Sequence, residues 1–172
     1  MNYRINPKNG DRLSILGFGC MRFPRSFDDT EKLVRRAIEG GVNYFDTAYV
    51  YPGNEATLGR ALRGYRDRVK LATKMPPYLV KTREDFDKIF NTQLERLQTD
   101  HIDYYLLHML TDTNVWERLL GLGALEWIAE KKASGQIVNL GFSYHGGRDD
   151  FVQIVDAYDW DFCMIQYNFL DE

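Results

Sequence analysis

The chain has 172 residues, a formal net charge of −3, 44% hydrophobic residues and 27% charged residues. These values are typical of a single soluble globular domain, and they exclude an intrinsically disordered chain and a positively charged surface for nucleic acid. No apolar run reaches the roughly 18 to 20 residues that span a bilayer, and the polar N-terminus has no signal-peptide core. The two cysteines form no disulfide framework. We therefore expect a cytoplasmic protein.

The first segment of the chain predicts a β-hairpin. Two short segments with strand propensity, residues 3–5 and 13–16, flank Asn9-Gly10, a dipeptide typical of tight turns. The rest of the chain repeats a strand followed by a helix. The predicted strands are residues 15–19, 42–45, 69–73, 102–107, 137–142 and 162–165. The predicted helices begin near residues 30, 55, 82, 115 and 151, and the fourth is a long helix over residues 115–133. This alternation predicts a parallel sheet covered by helices.

A polar residue stands at the carboxyl end of five predicted strands. These residues are Asp46, Lys74, His108, Ser143 and Gln166. Because the carboxyl ends of parallel strands share one edge, where α/β proteins build their sites, we expect the five side chains to face one cavity. The hydroxyl of Ser143 and the amide of Gln166 could hydrogen-bond a carboxamide there.

Tyr51, five residues after Asp46, is the candidate acid. Its ordinary pKa is about 10, and we expect the Lys74 ammonium to lower it towards a useful range, with Asp46 keeping Lys74 protonated. His108 could polarise a carbonyl oxygen lying between it and Tyr51. These groups suit proton delivery to an oxygen that becomes an alkoxide. Since no side chain supplies hydride, a reduction requires a nicotinamide cofactor.

Five motifs in order resemble the aldo-keto reductase family. They are Phe45-Asp46-Thr47-Ala48, Tyr51 before Gly53-Asn54-Glu55, Thr73-Lys74, Leu106-Leu107-His108, and Leu140-Gly141-Phe142-Ser143 followed by Gln166. The resemblance covers essentially the whole chain. It implies an α/β fold, a (β/α)8 TIM barrel whose floor is closed by the N-terminal hairpin. It also implies reduction of a small aldehyde or ketone with NADP(H), or with NAD(H).

The resemblance also implies roles for individual residues. The implied catalytic tetrad is Asp46, Tyr51, Lys74 and His108, with Tyr51 as the proton donor and with Tyr51 and His108 contacting the substrate carbonyl. The implied cofactor contacts are Met21, Asp46, Ser143 and Gln166.

Two features depart from the family pattern. Tyr144 follows Ser143 where much of the family has Asn, and this Ser-Tyr-His form resembles a bacterial branch whose longer members carry a C-terminal iron–sulfur module. No ligands for such a cluster are visible in this chain. A complete barrel needs about 250 residues. We therefore interpret residues 1–172 as one incomplete barrel domain, truncated after the sixth strand, whose open sheet edges permit self-association.

Alternative functions stay open on the sequence alone. The same fold could be an inactive fragment or a cofactor-binding regulatory module. A Schiff-base aldolase acting through Lys74 is less favoured, because pairing with Asp46 would keep the ammonium charged. Metal-dependent hydrolysis is also disfavoured, since no His-x-His pair or carboxylate cluster follows a strand, and no metal site is predicted.

The other reactive or aromatic residues receive simpler interpretations. His145 could line the mouth of the cavity. Cys20 is interpreted as an inert thiol, and the residues expected in the core are Cys163, Trp116, Trp127 and Trp160. The basic cluster Arg60, Arg63, Arg66 and Arg68 is interpreted as a solvated helix end.

Overall fold

The computed structural model describes residues 1–168 and 170. An antiparallel hairpin precedes a sheet of six parallel strands that pair strictly in chain order. The hairpin strands are β1 (Tyr3–Ile5) and β2 (Arg12–Ser14). The sheet strands are β3 (Phe18–Gly19), β4 (Tyr44–Asp46), β5 (Lys70–Met75), β6 (Ile102–Leu107), β7 (Ile137–Tyr144) and β8 (Phe162–Ile165). The helices are α1 (Phe27–Glu39), α2 (Asn54–Ala61), α3 (Arg83–Leu97), α4 (Thr113–Gly121), α5 (Ala124–Ala133) and α6 (Arg148–Asp156).

The sheet is an open half-barrel, which confirms the predicted incomplete (β/α)8 architecture and its N-terminal hairpin. Side chains of successive strand residues point to opposite faces, and each face has its own apolar cluster. Phe45, Leu71 and Tyr105 pack towards the helices in the large core. Ala72, Tyr104 and Leu106 pack on the concave side, with Phe162 and Met164 among their neighbours.

The hairpin is tied across the amino-terminal end of the sheet by polar side chains. Asn9 donates to the side-chain oxygen of Asn139 on β7 at 2.9 Å, and the hydroxyl of Tyr104 on β6 donates to Asp11 at 2.8 Å. Asp11 also pairs with Lys70 on β5 at 2.8 Å. The hairpin therefore covers the floor of the half-barrel, as expected.

Several predicted element boundaries are wrong for local reasons. Helix α1 starts at Phe27, three residues before Thr30, because Ser26 caps it by accepting from the Asp29 N–H. The long helix predicted over residues 115–133 is two helices, since Gly123 adopts φ +82° and separates α4 from α5. The first sheet strand is only Phe18–Gly19, because Ile15 and Leu16 are exposed beside the hairpin.

Two assignments of single residues also need correction. Cys163 is exposed on β8, at the end of the sheet, and does not lie in the core. Arg66 is not a solvated residue: it pairs with the buried Asp103 at 2.8 Å and donates to the His101 carbonyl at 2.9 Å. The three tryptophans pack in the core as predicted, although Trp160 lies near its margin. Among the described residues, no helix is long and apolar enough to cross a membrane.

Helices α2 and α3 touch backbone to backbone at Gly59. A Cβ atom at this position would lie 2.6 Å from the Arg96 carbonyl oxygen and 2.6 Å from the Leu97 carbonyl carbon. We expect Gly59→Ala to lower the free energy of unfolding by about 1 to 3 kcal/mol, because the helices must separate. Urea unfolding measures this. Gly121→Ala is the matched control, since its Cβ would meet nothing within 4 Å. Equal stability of the two variants would contradict the close packing.

Candidate active site

The loop after β4 carries Tyr51 to the carboxyl edge of the sheet. The Tyr51 N–H donates to the Ala48 carbonyl at 3.1 Å, and the Tyr51 carbonyl accepts from the Asn54 N–H at 3.1 Å. Gly53 then adopts φ +74°, a left-handed turn that leads directly into α2. These short-range bonds fix the backbone from which the phenol projects.

Lys74 and Asp46 form a buried ion pair at the ends of β5 and β4. The Lys74 ammonium contacts both carboxylate oxygens of Asp46 and donates to the Thr47 carbonyl at 2.7 Å. The side chains are only 4% and 16% exposed. Burial lowers the pKa of Lys74 and raises the pKa of Asp46, and the attraction between the two charges opposes both changes.

Tyr51 and His108 face each other across this pair. Their ring centroids are 6.0 Å apart with the planes at 90°, and the Lys74 Nζ atom lies 5.4 Å from the centroid of the Tyr51 ring. The backbone N–H of His108 donates to the Met75 carbonyl at 2.8 Å, which anchors His108 to the end of β5. The structure therefore brings together all four residues of the predicted tetrad.

The electrostatics at Tyr51 differ from the expectation. Burial and the negative charge of Asp46 raise the pKa of Tyr51, whereas we predicted that Lys74 would lower it. The physical reasons are the partial burial of the phenol, which has the larger effect, and the negative charge of Asp46. The Tyr51 phenol is therefore protonated throughout the neutral range.

His108 is a neutral imidazole at neutral pH. Burial, Lys74 and His145, in that order, lower the pKa of His108 from 6.5 to about 4. His145 directly follows β7, in the short loop that continues through Gly146 and Gly147. There it lines a cavity with Arg148 and Gln166. A neutral His108 can still donate one ring N–H to a substrate oxygen.

The lowered pKa of His108 predicts a pH-dependent stability. Between pH 6.5 and about 4 the unfolded chain holds a proton on His108 that the folded chain lacks, so this residue destabilises the fold as the pH falls through that window. Because His108 is only half-buried, we expect a loss of about 1 to 2 kcal/mol relative to His108→Gln after discounting for solvent screening. Urea unfolding of both proteins from pH 7 to pH 4 measures this. Parallel curves would contradict the prediction.

A mostly apolar groove of about 460 Å³ opens beside His108. Its wall includes Val50, Pro77, Tyr78, Met109 and Val115. Arg118 also borders it, but the guanidinium is bound to the carbonyls of Pro77 and Val80, each at 2.8 Å, and so holds the wall in place. The groove can take the apolar part of a small molecule whose polar atom reaches Tyr51 and His108.

Three predicted cofactor contacts lie at or just after strand ends of the same sheet edge as the predicted tetrad. Ser143, near the end of β7, accepts from the Met109 N–H at 2.9 Å, and its hydroxyl hydrogen has no acceptor among residues 1–168 and 170. Gln166 follows β8 and is exposed. Met21 is exposed beside Cys20, and Asn54 fixes that loop by donating to the Met21 carbonyl at 2.7 Å.

The hydroxyl of Tyr144, the departure from the family pattern, is bound within the loop that follows β7. Tyr144 is buried and donates through its hydroxyl to the Gly147 carbonyl, with its ring packed against Phe151 at 5.3 Å between centroids. It therefore shapes the loop after β7. Cys20 is fully buried, and burial raises the pKa of its thiol, in keeping with an inert residue.

The sequence reasoning missed a second buried polar group behind the site. Glu55, which the sequence places only in the motif Gly53-Asn54-Glu55, is buried with Thr73 and Gln93, and all three are connected by hydrogen bonds. The available signal was Gln93, a polar residue on the otherwise apolar face of α3. Within residues 1–168 and 170, no group of three or more His, Cys, Asp or Glu residues could hold a metal ion.

Comparisons with known proteins show which family the chain is similar to. A model of the Aldo/keto reductase family matches residues 15–172. The chain is 27% identical over 161 residues to "Probable aldo-keto reductase 1" of Glycine max, across 79% of this chain and 46% of that protein. It is 37% identical over 100 residues to an aldo-keto reductase of Mycobacterium tuberculosis, across 56% of this chain and 34% of that protein. The chain thus spans less than half the length of these curated relatives.

Solved structures give the same result. The holo form of an aldo-keto reductase from Bacillus halodurans matches 97% of this chain with a TM-score of 0.82 and 29% identity, over 58% of its own length. An aldo/keto reductase from Klebsiella pneumoniae, in complex with NADP and acetate, matches 88% of this chain with a TM-score of 0.73 and 27% identity, over 53% of its own length. From the match to the family model over residues 15–172, the chain belongs to the aldo/keto reductase family.

Proposed function

We propose that this chain carries the catalytic portion of a carbonyl reductase that uses NADPH, or NADH, to convert an aldehyde or ketone into an alcohol. The observation that carries the proposal is the convergence of Tyr51, His108 and the Lys74–Asp46 pair at one edge of the sheet. The NADP bound to the Klebsiella pneumoniae relative supports the choice of cofactor.

In this mechanism the substrate oxygen lies between Tyr51 and His108. The neutral His108 donates a ring N–H to that oxygen and polarises the carbonyl, and Tyr51 transfers its hydroxyl proton to the same oxygen. The nicotinamide, when bound, supplies the hydride that the carbonyl carbon accepts. The Lys74 ammonium, 5.4 Å from the Tyr51 ring centroid, stabilises the phenolate left after proton transfer, and Asp46 orients the ammonium.

The residues on the strand ends fit a nicotinamide carboxamide. The Ser143 hydroxyl already accepts a bond from Met109, so it is oriented to donate its hydrogen to an amide oxygen. Gln166, at the next strand end, offers both an amide donor and an amide acceptor. Met21 and Asp46 complete the proposed contacts, with Asn54 holding the Met21 loop.

The groove beside His108 gives the proposed substrate its chemical class. Its mostly apolar wall favours small aromatic or aliphatic aldehydes and ketones over sugars, although Lys81 and Thr111 also line it. Benzaldehyde and butyraldehyde are suitable probes, and erythrose is the polar comparison.

The first test is titration of the purified 172-residue chain with NADPH, followed by fluorescence, and then measurement of aldehyde-dependent NADPH oxidation. Saturable binding with turnover of benzaldehyde supports the proposal. Binding without turnover would instead support a cofactor-binding regulatory module, and a folded chain that binds no nucleotide would refute reductase activity for these 172 residues. Sedimentation velocity on the same samples checks the predicted self-association through the outer edges of β3 and β8.

The geometry disfavours the aldolase alternative. A Schiff base needs a neutral amine, but the Lys74 ammonium donates to two carboxylate oxygens and to the Thr47 carbonyl. Borohydride treatment in the presence of an aldehyde is expected to leave Lys74 unmodified. Covalent labelling of Lys74, detected by mass spectrometry, would reverse the preference.

A further inference from the structure

A buried polar cluster connects α2, β5 and α3 directly behind the ion pair. Glu55, 1% exposed, accepts from the Thr73 hydroxyl at 2.6 Å and from the Gln93 side-chain amide at 2.9 Å. The same amide donates to the Lys74 carbonyl at 3.2 Å, and the Gln93 oxygen accepts from Tyr105 at 2.6 Å. The second oxygen of Glu55 pairs with Arg96 at 3.1 Å.

This cluster holds both segments that carry the proposed chemistry. Glu55 lies four residues after Tyr51, in the first turn of α2, and Thr73 immediately precedes Lys74. The Lys74 carbonyl accepts from Gln93 and also from the Tyr49 N–H at 3.1 Å, within the loop that leads to Tyr51. A shift of Glu55 would therefore be transmitted to the ammonium and to the phenol together.

A buried carboxylate is costly to desolvate, and hydrogen bonds between neutral side chains could have joined the same elements. Its negative charge has a second effect at this position. Lys74 faces Asp46 from β4, Cys20 from the loop after β3, and Glu55 from α2, and the charge of Glu55 acts with that of Asp46 against the lowering of the Lys74 pKa by burial.

We propose that Glu55 is a positioning residue of the active site, which acts through Thr73 and Gln93 to fix the place and the charge of Lys74 relative to Tyr51. The effect on catalysis rests on the reductase function proposed above, whereas the effect on Lys74 does not.

The test compares Glu55→Gln with Glu95→Gln, a control that removes the same charge from an exposed position on α3. Lysine side chains labelled with ¹³C are titrated by NMR, with the Lys74 signal assigned from Lys74→Arg. We expect Glu55→Gln to lower the measured pKa of Lys74 and to reduce kcat by about 10- to 100-fold with little change in the KM of the aldehyde. Glu95→Gln should change neither value.

A second pair of variants guards against a simple loss of folding. Thr73→Ser keeps the hydroxyl and should retain the wild-type Lys74 titration, while Thr73→Val removes it and should shift the Lys74 signal. Circular dichroism melts show which variants are folded. A folded Glu55→Gln protein with an unchanged Lys74 titration would overturn the proposal. If the wild-type chain has no turnover, the reductase proposal fails on its own, and the NMR titration still decides the role of Glu55.

Discussion

Replacing Tyr51 with Phe is expected to slow carbonyl reduction by about 10²- to 10⁴-fold while leaving the affinity for NADPH nearly unchanged. The substitution removes only the hydroxyl that donates the proton, and the ring keeps its place opposite His108. Stopped-flow measurement of NADPH oxidation, together with fluorescence titration of the cofactor, separates the two effects. Tyr65→Phe is the control, because that ring packs against Arg35 and Arg68 away from the site.

The pH dependence of the reaction follows from the same residue. Because the pKa of Tyr51 is raised, the phenol remains protonated at neutral pH, and reduction should persist into the alkaline range before it falls as the pH rises through that pKa. Oxidation of the alcohol requires the phenolate, so its rate should increase over the same range. Reduction by Tyr51→Phe at the wild-type rate would refute Tyr51 as the proton donor.

Replacing Lys74 with Met is expected to cost about 3 to 5 kcal/mol of folding free energy. The change leaves the Asp46 carboxylate buried without its cation. The free-energy cost of that unpaired charge exceeds the net stabilisation that the ion pair itself provides. The double variant Lys74→Met with Asp46→Leu should recover much of the stability, since no isolated charge then remains. Lys32→Met is the control, because its pair with Asp29 is highly exposed and should contribute less than about 1 kcal/mol.

Urea unfolding at several pH values tests this account of the ion pair. Since burial already raises the pKa of Asp46, removing Lys74 should raise it further, and the deficit of the variant should shrink as the pH falls and Asp46 becomes protonated. A Lys74→Met protein as stable as the wild type at neutral pH would show that water reaches Asp46 and compensates its charge.

Much of the fold could be predicted because its signals are local. Apolar runs gave the six sheet strands, Asn9-Gly10 gave the hairpin, and the alternation of strands and helices indicated a parallel sheet. The break between α4 and α5 was not predicted, because the apolar periodicity continues across it, although the two glycines of Gly121-Leu122-Gly123 were the available signal. The exposure of Cys163 could not be deduced from an apolar strand, since burial there depends on what lies beyond β8.

The residues that form the candidate site could be predicted from the sequence, but the direction of the Tyr51 pKa change could not. Parallel topology places Asp46, Lys74 and His108 at one edge, and the structure brings them together with Tyr51. The direction of the Tyr51 pKa change depends on the burial of the phenol and on its distance from Asp46, and no sequence pattern contains either. The role of Gln93 was not predicted for a different reason. A single polar residue on a buried helix face indicates a hydrogen-bond partner, but the sequence does not show that this partner is Glu55.

The pairing of β3 to β8 in chain order has a consequence for how the molecule assembles. Each strand can join the edge formed by the strand made just before it, so the sheet can grow stepwise as the chain leaves the ribosome. The hairpin cannot finish docking in this way, because Asn9 and Lys8 bind Asn139 and Asp159, about 130 and 151 residues later in the chain. Contacts so distant in sequence form slowly. The hairpin is therefore expected to reach its final place after the sheet strands that follow it in the chain.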